Sequence, residues 1–213
     1  MVATNAAQLH DPERVRFDKK LRNFLDDHSL TEAPTLVLQC APTKTSIVDI
    51  QAKELRNTLS SGTGLNSQDW WDGFGGGYGC VAVFDGLASG RPSQEQRWVT
   101  EIHEDGHILA ALRADEDSDK PRVYTFLLAA FIDFARLVQR LHASAGIAGG
   151  VKLTATIVNG KGLPLINNRT YVQTRARVIT REVLEWPVLA AEGPEAIAEV
   201  CQQMSRRFER LFP

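Results

Sequence analysis

The 213-residue chain has only three cysteines, Cys40, Cys80 and Cys201, and they lie far apart in the sequence. Their number is odd and none belongs to a CxxC pair, so the spacing favours neither a disulfide framework nor a zinc ribbon. Each has apolar neighbours, and a free cysteine in such surroundings behaves as a small hydrophobic residue. We therefore expect three buried, reduced thiols, as in a cytoplasmic protein.

Strong net charge and long apolar runs are also missing. The 24 basic and 26 acidic residues leave a net charge of −2, which gives no overall attraction to nucleic acid or to membranes. The longest apolar stretch, residues 123–132, is only about half of the roughly 20 residues that a membrane-spanning helix needs. The first residues lack the basic start and apolar run of a secretory signal. These features predict a cytoplasmic protein without a membrane partner.

The patterns that are present indicate a single α+β domain. Apolar periodicity predicts helices over 11–28, 47–59, 124–144 and 194–212, and strands over 35–40, 80–86, 151–159 and 171–184. Helices and strands alternate without a regular βαβ repeat, which favours a mostly antiparallel sheet with hairpins. We expect the long central helix and the amphipathic C-terminal helix to pack on this sheet. Residues 1–10 are predicted to be a flexible tail and 11–213 one domain.

The segment HEDGH, residues 103–107, matches the HExxH signature of zinc hydrolases. On a helix, His103 and His107 would share one face and bind Zn²⁺, while Glu104 would act as the general base on the bound water. Asp133 is the only third ligand that the sequence offers. Against this, Gly106 would cost a helix interior about 1 kcal/mol. The metal site is therefore the alternative interpretation, and no metal or other cofactor is expected.

The same segment also spells a hairpin, because Asp105-Gly106 is a strong signal for a tight two-residue turn. That turn would pair Glu104 with His107, Ile102 with Leu109, Thr100 with Ala111 and Trp98 with Arg113. In this register His103 and His107 would point to opposite faces of the sheet, because successive strand residues alternate. They could then not share a metal. We favour the hairpin over the helix.

Two other segments are candidate binding sites. The first is the aromatic and glycine-rich stretch 70–79, in which Trp70, Trp71, Phe74 and Tyr78 would form a ligand- or partner-binding surface. Its glycines precede a strand, whereas phosphate-binding loops follow one. The second is the predicted strand 171–184 together with the residues just before it. Here Arg169, Arg175, Arg177 and Arg181 would form an anion-binding stripe. Such a stripe is more often the solvated face of a sheet.

Several segments in order resemble the C-terminal accessory region of bacterial Schlafen-like, Alba-type ATP-binding proteins, a group described as transcriptional regulators. They are DWWDGFGGGYG, WVTEIHEDGHILA, the helix YTFLLAAFIDFARLVQRL with the following strand, REVLEWPVL, and AIAEVCQQMSRRFERL. The resemblance covers roughly residues 35–212 and implies a hairpin at HEDGH and an accessory domain without catalytic residues. The Schlafen-like core of those proteins is absent, so their nucleotide and nucleic-acid activity does not carry over.

These observations together predict a non-catalytic binding or regulatory domain, a sensor or scaffold in a bacterial multi-component system. Its partner would be a protein or a small ligand. A zinc hydrolase that uses HEDGH and a nucleic-acid-binding module that uses the arginine-rich strand are the two alternatives. A homo-oligomer is also compatible with the sequence, because the apolar face of the C-terminal helix suits a dimer as well as a core.

Overall fold

The computed structural model describes most of the chain. The described residues are 12–44, 46–61, 74, 79–90, 98–113, 123–124, 127–166 and 177–212. The predicted flexible tail, 1–10, lies outside them. Among the described helices, none is long and apolar enough to cross a membrane.

Four helices and eleven strands lie in the described ranges. The helices are α1 (Pro12–Asp27), α2 (Lys53–Ser60), α3 (Leu127–Ser144) and α4 (Pro194–Glu209). The strands are β1 (Thr35–Pro42), β2 (Cys80–Val83), β3 (Gly86–Gly90), β4 (Trp98–His103), β5 (Ile108–Arg113), β6 (Val123–Tyr124), β7 (Val151–Val158), β8 (Pro164–Ile166), β9 (Arg177–Val178), β10 (Leu184–Glu185) and β11 (Leu189–Ala191).

Eight of the strands form one antiparallel sheet in the order β10-β7-β1-β5-β4-β3-β2, with β11 also paired to β7. A small second sheet has the order β6-β8-β9, and its β6–β8 pair is parallel. Helices pack on the main sheet. The predicted α+β class with a mostly antiparallel sheet is therefore confirmed.

The two faces of the main sheet bury two different apolar clusters. In β1, Leu36 and Leu38 contribute to the larger cluster together with residues of α2, α3 and α4. Val37, which points to the opposite face, packs in a smaller cluster with Phe24 of α1. This alternation follows from the two-residue period of a strand. The fold therefore has three layers, with α1 alone among the described helices on one face.

The two large predicted helices are present, but each is shorter than the predicted range: α3 begins at Leu127 and not at Tyr124, which lies in β6, and α4 ends at Glu209. The buried face of α4 contains Ile197, Cys201, Met204 and Phe208, and α3 buries residues along its whole length. Pro194 occupies the first turn of α4, where its missing N–H costs nothing.

Three other element predictions are wrong in part. The helix predicted over 47–59 begins only at Lys53, and residues 46–50 lie in no helix or strand. The long strand predicted over 171–184 is reduced, within the described residues, to the short strands β9 and β10. The strand predicted over 80–86 ends at Val83, and residues 86–90 form a separate strand, β3, because they pair with β4 on one side and β2 on the other.

The cysteine prediction holds for two of the three residues. Cys40 and Cys201 are buried free thiols, whereas Cys80 is half-buried. Burial raises the pKa of Cys201 to about 12, so this thiol stays protonated and unreactive.

Candidate functional site

The HEDGH segment forms the turn of the β4–β5 hairpin. The His103 N–H donates to the His107 carbonyl at 2.9 Å, and the Gly106 N–H donates to the His103 carbonyl at 2.9 Å. The flanking residues 98–103 and 108–113 are strands. The helix that a zinc-hydrolase signature requires is therefore contradicted, and the predicted hairpin is confirmed.

The predicted register of this hairpin is wrong by one residue. The loop has three residues, not two, and it places Ile102 opposite Ile108 and Trp98 opposite Leu112. The reason is Gly106, whose φ of +78° closes a three-residue loop with a residue in the left-handed region. His103 and His107 consequently lie opposite each other on the same face of the sheet, with ring centroids 6.4 Å apart.

Sharing a face does not make the two histidines a metal site. Asp133, the predicted third ligand, lies on α3, which packs on the other face of the sheet. Across the ranges that the structure describes, no group of three or more His, Cys, Asp or Glu residues could hold a metal ion.

Replacing Gly106 by alanine should test this turn. A Cβ atom here would lie 2.8 Å from Pro42 Cγ and 2.9 Å from Ile147 Cδ1, on a backbone with positive φ. We expect the free energy of unfolding to fall by about 2 to 3 kcal/mol, from backbone strain plus overpacking. Urea denaturation measures it. Gly146→Ala is the matched control, because φ there is +66° but an added Cβ atom would have no described atom outside its chain neighbours within 4 Å. An equal loss in both variants would show that the contacts around Gly106 do not matter.

Beneath α1, five ionisable side chains form a chain of contacts that we call the charged cluster. His28 Nε2 lies 2.7 Å from Glu101 Oε1, and the other oxygen of Glu101 lies 3.1 Å from His103 Nε2. His103 Nδ1 lies 2.7 Å from Asp85 Oδ1, and Lys20 Nζ donates to Asp85 Oδ2 at 2.5 Å. The cluster joins α1 to the β2–β3 turn and to β4. Glu101 is at its centre, and its side chain is only 2% exposed.

The pKa shifts in the cluster favour its charged state. Burial alone raises the pKa of Glu101, but contacts with His103 and His28 outweigh it and hold the pKa below its usual value. Burial alone lowers the pKa of His103, but Glu101 and Asp85 outweigh it and raise the pKa. Both nitrogens of His103 face carboxylates, so its surroundings favour the protonated form of the ring.

The pKa of His107, which lies directly opposite His103, is shifted in the opposite direction. It is fully buried, it packs edge-on against Phe17 with ring centroids 4.9 Å apart, and neither ring nitrogen has a hydrogen-bond partner among the described residues. Burial lowers its pKa to about 3, although the nearby Asp105 carboxylate acts in the other direction. This ring is therefore neutral at physiological pH.

The surface above the cluster opens into a cavity of about 530 Å³ between α1 and the β2–β3 and β4–β5 turns, which we call the α1 cleft. Its wall includes Arg16, Lys19, Lys20, Asn23, Asp26, Asp27, Phe84, Asp85, Glu101, His103 and Asp105. Phe84, at the tip of the β2–β3 turn, is fully exposed to solvent. This surface therefore presents a large, fully exposed aromatic side chain at the rim of a cavity whose lining residues are mostly charged.

The structure describes one of the four residues of the predicted aromatic surface. Phe74 is fully buried and packs edge-on against Phe134, with ring centroids 6.4 Å apart. Its side chain therefore contributes to the core, not to an exposed surface. Trp70, Trp71 and Tyr78 lie outside the described residues.

The structure describes two of the four arginines of the predicted stripe. Arg177 in β9 and Arg181 in the loop after it are both exposed. Arg169 and Arg175 lie outside the described residues, so the structure does not show whether the four arginines share a face.

Sequence reasoning missed four of the five residues of the charged cluster, namely Lys20, His28, Asp85 and Glu101. One signal was present: Glu101 and His103 alternate in a segment predicted as a strand, so they had to share a face. Their partners come from α1 and from the β2–β3 turn, and the sequence gives no indication of that proximity.

Comparison with known proteins adds no further evidence. No family model matches the chain, and no curated protein and no solved structure matches it significantly.

Proposed function

We propose that the chain is a non-catalytic, cytoplasmic binding domain that engages a protein partner at the α1 cleft, with Phe84 as the anchor. The exposure of Phe84 carries this proposal. A phenylalanine in water forfeits the roughly 2 kcal/mol that its burial would contribute. Binding energy at protein interfaces is concentrated in a few large side chains that enter pockets of the partner.

The charged cluster supports binding in place of catalysis. A general base needs a nitrogen lone pair directed at the substrate, whereas both nitrogens of His103 lie against carboxylates. Lys20 is likewise directed at Asp85. The charges neutralise one another and fix α1 against the sheet, so the cluster forms a rigid wall for the cleft.

The exposed polar residues of the cleft would supply the rest of the interface. Lys19, Asn23, Asp26 and Asp27 are exposed on α1 beside the cavity, and none pairs with a described side chain. Around a central aromatic anchor, such residues form the polar rim that fixes orientation. A regulatory role in a bacterial multi-component system, which the resemblance to the accessory region implies, is part of the same proposal.

Replacing Phe84 by alanine should weaken partner binding at least 30-fold, the loss expected of an aromatic anchor worth about 2 kcal/mol. The fold should be unchanged because the side chain makes no buried contact. A photo-crosslinking amino acid at position 84 identifies the partner in cells, and titration of the purified partner against both proteins measures the loss.

Ile47 is the matched control, because it is 94% exposed and is not among the residues that line the cleft. Ile47→Ala should bind the partner like the unmodified protein. Equal affinity of Phe84→Ala and the unmodified protein, or an equal loss of affinity in Ile47→Ala and Phe84→Ala, would contradict the proposal.

A further inference from the structure

A second surface lies on α4, far along the chain from the α1 cleft. The side of this helix that faces away from the core contains Glu199, Gln202, Gln203, Arg206, Arg207 and Arg210, which we call the α4 stripe. The spacing of three and four residues aligns these side chains on one side of the helix. At 1.5 Å per residue the stripe is about 16 Å long.

The arginines of the α4 stripe differ from the basic residues of α1. Arg14, Arg16 and Lys20 each pair with a carboxylate. By contrast, Arg206 and Arg207 make no ion pair with any described residue, and the same holds for Arg210. Glu209, on the flank of the stripe, is exposed and pairs with none of them. Their positive charge is not neutralised within the described part of the molecule.

The neighbouring helix adds to this positive potential. Ser205 Oγ donates to the Leu128 carbonyl at 3.4 Å, so the amino end of α3 lies beside the arginine-bearing end of α4. The amino end of an 18-residue helix carries a partial positive charge. The arginines also oppose the dipole at the carboxyl end of α4, a stabilising role that requires no binding partner.

We propose that the α4 stripe binds the phosphate backbone of nucleic acid. Arginine presents a planar fork of donors that matches phosphate oxygens, and Gln202 and Gln203 extend the row of hydrogen-bonding groups along the helix. An anionic membrane is less well matched, because binding in its interface requires an exposed apolar helix face. The apolar face of α4, with Ile197, Met204 and Phe208, is buried in the core.

Fluorescence anisotropy with a labelled 20-base-pair DNA duplex tests the proposal. Three phosphate contacts should make the logarithm of the association constant fall with the logarithm of salt concentration with a slope of about −2.7. Affinity should therefore drop about 40-fold between 50 and 200 mM salt. The variant R206A/R207A/R210A should bind at least 30-fold more weakly at 50 mM salt, with a slope near zero.

The matched control is K44A/K53A/K161A, which removes three exposed lysines from other parts of the surface and should keep both affinity and slope. Far-ultraviolet circular dichroism and thermal melting check that each variant is folded. The proposal is overturned if the unmodified protein does not bind the duplex at 50 mM salt, or if both triple variants bind equally well. It is also overturned if vesicles with anionic phosphatidylserine bind the protein and the duplex does not. None of these outcomes depends on Phe84, so this inference and the protein-binding proposal are tested independently.

Discussion

Replacing Glu101 by glutamine is expected to lower the free energy of unfolding by about 3 kcal/mol near pH 6, the usual cost of breaking a buried ion pair. Glu101 is buried between His28 and His103. Glutamine preserves the volume but removes the charge, so the imidazolium of His103 loses its main stabilising partner. For a domain of about 200 residues this corresponds to a fall in melting temperature of about 6 to 12 °C.

The loss should depend on pH in a specific way. The lowered pKa of Glu101 contributes stability that is present above about pH 4.5 and disappears as the pH falls through the folded value. The raised pKa of His103 contributes stability that is complete below about pH 6.5 and disappears as the pH rises through the folded value. Both contributions are complete only between about pH 4.5 and 6.5, so the difference in stability between variant and parent should be largest there.

Glu104 provides the control for this experiment. It lies three residues further along, in the turn of the same hairpin, but its side chain is exposed and contacts none of the cluster. Urea denaturation of Glu104→Gln should give a change within about 0.5 kcal/mol at every pH, as for other surface substitutions. If Glu101→Gln behaved in the same way, the cluster would not stabilise the attachment of α1 to the sheet.

The sequence was sufficient for the elements whose signals are local. The apolar periodicity of α3 and α4 and the Asp105-Gly106 turn each depend on neighbouring residues, and all three are present. The register of the hairpin was not predictable in this way, because a two-residue and a three-residue loop both place glycine in a left-handed conformation. A shift of one residue changed which side chains share the face of His103.

The remaining features depend on contacts between distant parts of the chain. The small residues Gly-Leu-Ala-Ser-Gly of β3 have little preference for a strand, and their conformation comes from pairing with β4 and β2. The charged cluster joins residues that are 73 and 65 positions apart, as in the His28–Glu101 and Lys20–Asp85 contacts. The α1 cleft therefore exists only because α1 packs across the sheet.

Replacing His107 by leucine is expected to protect the protein against acid. The pKa of His107 is about 3 in the folded protein, compared with about 6.5 when unfolded. Between these values the unfolded chain binds a proton that the folded chain does not, so stability falls as the pH drops below 6.5. At pH 5 this amounts to about 2 kcal/mol, from 1.5 pH units at 1.36 kcal/mol each.

Leucine removes that titration, and it also removes two buried nitrogens that have no hydrogen-bond partner in the part of the chain that the structure describes. The variant should therefore equal or exceed the parent in stability at pH 8 and exceed it by about 2 kcal/mol more at pH 5. Urea denaturation at both pH values measures the difference in stability.

His103→Gln is the contrasting variant. His103 stabilises the fold as the pH falls through its raised pKa, so the loss of stability in this variant should be greater at pH 6.5 than at pH 8. Parallel pH profiles for the two variants would contradict the assignment of one neutral and one charged ring to the two histidines of HEDGH, because the opposite protonation states require opposite slopes.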